Sequence, residues 1–148
     1  YRKAEFSLVQ DKITKKDCIT MDLPTNPEYV SVARLTVSAI SNTIGFNVEE
    51  IEDIKIALSE ACANAIRHSQ KDTFSLHFEL EPGKLTIQVS DQGVGFDTNE
   101  VKEPVIEEMK ENGLGFFIIE SLMDEVTIDS EVGKGTTIRM SKFLEDNK

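Results

Sequence analysis

Apolar and polar residues alternate along this chain in two rhythms, and the switches between them mark out its elements. Ile19, Met21 and Leu23 alternate with polar neighbours, which predicts a strand over 19–23 that Pro24 stops. Asn26 and Pro27 form a helix entry, because proline at the first helical position gives up no needed N–H. Val30, Ala33, Val37, Ile40 and Ile44 then make one apolar stripe that ends at Gly45, the signature of a core helix with a glycine cap. Phe46 is expected to pack at the turn. The longest helix is predicted over 51–69, with Asn47 and Glu50 spaced as a reciprocal capping pair and Ile51, Ile54, Leu58, Cys62 and Ala65 as its buried stripe.

The period then falls to two. Phe74, Leu76, Phe78 and Leu80 alternate, Pro82-Gly83 turns the chain, and Leu85, Ile87 and Val89 alternate again, a hairpin with one face buried. Helical spacing returns over 116–123, and two more strands are predicted at 126–129 and 136–140; a short edge strand over 5–9 is also expected. The order strand, helix, helix, strand, strand, helix, strand, strand predicts an α+β fold, a two-layer sandwich with an antiparallel or mixed sheet and its helices on one face. The charged stretch 97–112 contains a proline and holds no period. A loop of that length inside a compact domain is usually functional or mobile.

Length and charge narrow the classes. The chain of 148 residues suits one domain with a single core, expected over 18–148 after a polar, basic extension at 1–17. A formal net charge of -11, spread along the chain, excludes duplex DNA or an anionic membrane as the main partner. No apolar run reaches the length of a membrane span, and the first residues lack the apolar centre of a signal peptide. Cys18 and Cys62 lie far apart, one of them on a buried stripe, so a disulfide framework is not expected and a reducing, cytoplasmic setting is.

The candidate chemistry begins on the long helix. Glu60, Asn64 and His68 sit four apart and stack along one side of it, beside the apolar stripe. A carboxylate, an amide and an imidazole in a row could serve a metal–phosphate site or simply face solvent. Three glycine-bearing loops follow. In Asp91-Gln92-Gly93-Val94-Gly95, an ionised aspartate could accept from the exocyclic amine of adenine, with glycines permitting close approach; a strand-end turn with an Asp cap is the alternative. Gly113-Leu114-Gly115 opens a helix, where free N–H groups and the helix dipole suit a phosphate chain, or it is a plain flexible joint. Gly133-Lys134-Gly135-Thr136-Thr137 alone reads as a hairpin turn.

Taken in order, these pieces resemble the four boxes of the superfamily of gyrase, heat-shock chaperone, histidine kinase and mismatch-repair ATPases. The spelling LSEACANAIRHS, DQGVGF, GLGFFIIESLMDEV and GKGTTIRM is similar to bacterial anti-sigma-factor serine kinases of stress-response and sporulation switches, and PTNPEYVSVARLTVSAI fits their N-terminal helix. The resemblance runs from about Thr20 to Leu144.

It implies a histidine-kinase-like ATPase fold with an ATP–Mg2+ site between the long helix and a lid. Asn64 would ligate magnesium, Glu60 would be the general base, and His68 would lie along the nucleotide. Asp91 would hold the adenine amine with Thr136 or Thr137. Gly93 and Gly95 would open the lid, 97–112 would form it, and Gly113, Leu114 and Gly115 would close it over the phosphates. The implied partners are a sigma factor, an anti-anti-sigma protein whose serine accepts the phosphoryl group, and a second copy in a homodimer. One departure stands out: some relatives carry an arginine just before the Gly-x-Gly, where this chain has Glu111 and Asn112. The rival readings are a non-catalytic ATP-binding module that holds the sigma factor, and the catalytic domain of a histidine kinase.

Overall fold

In the computed structural model the structure describes residues 15–93 and 113–145. The expected edge strand over 5–9 and the stretch 97–112 with Gly95 lie outside the described residues. The elements follow in the predicted order: β1 (Asp17–Pro24), a 3-10 turn (Pro27–Tyr29), α1 (Val30–Ile44), α2 (Val48–His68), β2 (Thr73–Glu81), β3 (Lys84–Asp91), α3 (Leu114–Leu122), β4 (Glu125–Glu131) and β5 (Gly135–Phe143). The strands form one five-stranded sheet in the order β1-β2-β3-β5-β4, and every pair is antiparallel.

Alternation decides the faces. Phe74, Leu76, Phe78, Leu85, Ile87, Val89, Ile138 and Met140 point to the helices and are buried there with Ala33, Val37, Ile54, Leu58 and Ile119. The opposite face is polar. On it His77 Nδ1 meets Thr20 Oγ1 at 2.8 Å, tying β1 to β2. Burial would raise the Glu79 carboxyl, but Lys16 at 3.2 Å and Arg139 at 3.4 Å outweigh it and hold the group below its usual range. Helices on one face of an α+β sandwich are therefore the architecture that the alternation called for.

The helix ends follow local chemistry. Asn26 accepts from the Glu28 N–H at 3.0 Å and starts the 3-10 turn. Gly45 closes α1 at φ 110°, a left-handed value that glycine adopts without Cβ strain. Asn47 and Glu50 make the full capping box at 2.8 and 3.1 Å, so α2 begins at Val48, directly after the cap that their spacing predicts. Ala57, Ala61, Cys62 and Ala65 line its buried side, and these small side chains bring its axis close to the sheet. Burial pushes the Cys62 thiol up to about 12, so it behaves as a core residue. Asn47→Ala is expected to lower the unfolding free energy by about 1 kcal/mol and Phe78→Ala by about 3–5 kcal/mol, both read from denaturant melts.

Candidate functional site

The C-terminal end of α2 is fastened to the end of β3. Beyond His68 the chain turns extended at Ser69, which forms an isolated antiparallel bridge with Gly93, and the Gln70 N–H reaches the Gln92 carbonyl at 3.4 Å. Asn64 lies one turn back on α2 from this junction. Asn64 and Asp91 are both buried, at 6% exposure each, inside a largely apolar helix–sheet layer.

Asp91 is clamped by backbone. Its Oδ1 accepts from the Gly93 N–H at 2.8 Å, and the Thr136 N–H also donates to the carboxylate. Desolvation raises its carboxyl above the ordinary value; the two backbone donors and the nearby His68 work against that rise. Two glycines make the clamp sterically feasible. A Cβ on Gly93 would collide with the His68 carbonyl and come within 2.7 Å of Asp91 Oδ1. Gly135, at φ 90°, would drive a Cβ into the Asp91 carbonyl. The loop read from sequence as a mere hairpin turn therefore also presses β5 against the Asp91 strand end.

Register separates the two threonines. Thr136 stands opposite Asp91, is buried, and its hydroxyl meets Ser130 Oγ at 2.8 Å. Thr137 points through the sheet to the polar face, where it bonds Ser90 Oγ at 3.0 Å. Thr136 is thus the threonine brought to Asp91. Ser130, which holds its hydroxyl, had no signal in the sequence, because only the β4–β5 register shows the pairing.

Glu60, one turn before Asn64, lies against the opening turn of α3. A Cβ on Gly115 would sit 3.3 Å from Glu60 Oε2, so the carboxylate and the helix start are immediate neighbours. Gly113 is the N-cap and brings no side-chain acceptor to the first N–H groups of α3. Leu114 is exposed. Lys134 is an exposed turn lysine paired with Glu131 at 3.1 Å. A cavity of about 350 Å³ adjoins Asp91, with Lys71, Ser75, Ser90 and Gln92 in its wall. Among the described residues no three His, Cys, Asp or Glu side chains gather to hold a metal ion. The buried Asn64 amide, one helical turn from the Glu60 carboxylate, is instead a sparse set of hard oxygen donors. That suits magnesium, which keeps most of its waters and leans on phosphate oxygens.

Residues 23–142 match the family model described as the histidine kinase-like ATPase domain. A protein of Oceanobacillus iheyensis named serine-protein kinase RsbW is 39% identical, with 89% of this chain and 90% of that protein covered. The RsbW of Staphylococcus aureus is 40% identical over 89% of this chain and 90% of its own length. Among solved structures, a Mycobacterium tuberculosis chain with RsbU and RsbW domains superposes with a TM-score of 0.64 at 20% identity, over 86% of this chain and 32% of that one. A histidine kinase domain from Erythrobacter litoralis gives 0.53 at 22% identity, over 84% and 63%. At those identities the solved structures speak to the fold, which agrees with the sandwich described above.

The raised Asp91 carboxyl has a signed consequence. Above its folded pKa the buried carboxylate costs stability; as pH falls through that value the proton removes the cost, and the relief is complete below the ordinary 3.8. Asp91→Asn should therefore melt at a higher temperature than the wild type at neutral pH. That margin should shrink steadily on acidification. A variant less stable at pH 7, or a margin independent of pH, contradicts this electrostatic account.

Proposed function

The chain belongs to the histidine kinase-like ATPase family and, within it, to the group of the serine-protein kinases named RsbW; from that premise we propose that it is an ATP-dependent protein serine kinase that also sequesters a sigma factor. The observation that carries the catalytic half is the Glu60 carboxylate, one helical turn from the buried Asn64 and against the opening turn of α3. A module that used ATP only to shape its surface would have no use for a carboxylate at that point.

Adenine enters at the Asp91 end. The carboxylate, held by the Gly93 and Thr136 N–H groups, accepts from the exocyclic amine and rejects the guanine keto oxygen. The phosphates run along α2 toward the start of α3 at Gly113-Leu114-Gly115, whose N-cap brings no side-chain acceptor and where the helix dipole favours negative charge. His68, at the end of α2 beside Asp91, lies along the nucleotide. Asn64 Oδ1 is the protein ligand offered to Mg2+, which when bound neutralises phosphate charge. The reading assigns the role of a lid over the nucleotide to the stretch 97–112, preceded by Gly93 and Gly95, which lies outside the described residues.

The acceptor is a serine of an anti-anti-sigma protein. Glu60 takes the hydroxyl proton as the serine oxygen forms its bond to the γ-phosphorus, and the bond from that phosphorus to the bridging oxygen breaks, releasing ADP. Glu111 and Asn112 supply no arginine to the transferring group, so charge neutralisation falls to the α3 start and the metal. The reading includes a homodimer, a cytoplasmic setting and service in a stress-response or sporulation switch. Among the described residues no helix is long and apolar enough to cross a membrane.

Label transfer from γ-labelled ATP to the purified anti-anti-sigma partner tests the proposal. The wild-type protein should phosphorylate it, and Glu60→Gln should slow transfer by about 10²–10⁴-fold with ATP affinity retained. Undiminished transfer by Glu60→Gln removes the base from Glu60. Nucleotide binding without transfer under any condition would identify a non-catalytic binding module.

A further inference from the structure

α3 is held at both ends, and its far end is bolted by a residue that nothing in the chemistry above requires. β5 runs past the predicted end at 140 and places Lys142 on the helix-facing side, across from Leu85, at 7% exposure. An ammonium there interrupts an otherwise apolar row. Its Nζ donates to the Leu122 carbonyl at 2.6 Å and stands 4.0 Å from Asp53 Oδ2 on α2. Leu122 is the last residue of α3, so the cation sits where the helix dipole is negative and satisfies a terminal carbonyl. Two more bonds cross the same joint: the Phe143 N–H donates to Asp124 Oδ2 at 2.8 Å, and the Asp124 N–H donates to the Ser141 carbonyl at 2.9 Å.

We infer that Lys142 is a positioning residue for the phosphate end of the site, setting through α3 the gap between its opening turn and Glu60 and Asn64. This rests on the kinase reading above. The helix is only nine residues long. With a rise of about 1.5 Å per residue it is a short rigid rod, and an axial slip at Leu122 appears undiminished at Gly115. The gap there is narrow, since a single Cβ on Gly115 would sit 3.3 Å from Glu60 Oε2. Without the amine, the Leu122 carbonyl loses its buried donor, and the helix drifts to regain one. The adenine end is built on β3, the start of β5 and the end of α2, whereas this joint lies at the far end of β5 and beside Asp53 near the start of α2.

Calorimetry with ATP and with AMP, both in magnesium, reads the two ends separately, because AMP shares the base and ribose but lacks the β- and γ-phosphates. Lys142→Met should weaken ATP by about tenfold to a hundredfold, the scale of an ångström-level misplacement. AMP affinity should stay within about twofold, and Lys142→Arg, which keeps a donor at the carbonyl, should recover most of the ATP affinity. Asp124→Ala loosens the same joint from an exposed position and should show the same selective loss in smaller measure, and it decides the matter if Lys142→Met does not fold. Equal losses for ATP and AMP, or unchanged affinity for both, would overturn the positioning role while leaving the kinase reading standing. A wild-type protein that bound neither nucleotide would overturn both.

Discussion

The contact on which the rest of the site depends is the close approach of the Asp91-Gln92-Gly93 segment to its two neighbours. It is wedged between the His68–Ser69 end of α2 and the Gly135–Thr136 start of β5, with no room for a Cβ at either glycine. That wedge sets the Asp91 carboxylate between the end of the helix that bears Asn64 and the start of β5. Without it the two elements could still pack through their apolar stripes. Asn64 and Asp91 would then be two costly buried polar groups with no common purpose.

Among the polar groups buried in the helix–sheet layer are Asp91, Asn64 and Lys142. Each is a position where an apolar side chain would suit the core better. Desolvation raises the Asp91 carboxyl even with two backbone donors in place, so part of the folding free energy is given up to keep an acceptor at the strand end. Lys142 is better compensated, because its amine meets a helix-terminal carbonyl that would otherwise go without a buried partner. Conflicts of this kind, between a local rule and a buried position, are where function is expected to show in a fold.

Much of this was legible in the sequence because the strong signals were periodic or stereochemical. Strict alternation in β2 and β3, the Asn47–Glu50 spacing and Gly45 each correspond to a local interaction, and each stands as expected. The stacking of Glu60 and Asn64 followed from helix geometry alone. What the sequence withheld was cross-strand register. Adjacent Thr136 and Thr137 are interchangeable in sequence yet lie on opposite faces of the sheet, and Ser130 meets Thr136 only through β4–β5 pairing. Lys142 is hidden for a similar reason: a lysine in an alternating row reads as the end of a strand, whereas here its ammonium reaches a helix terminus.

The central claim is that a purine triphosphate docks where Asn64 and Asp91 converge. The most direct measurement is a crystal structure of the protein with magnesium and a non-hydrolysable ATP analogue. The account predicts the adenine amine at about 2.8–3.0 Å from the Asp91 carboxylate, and the β- and γ-phosphates beside Asn64 at the opening turn of α3. A nucleotide bound elsewhere, or one seated here with its base turned away from Asp91, would contradict it.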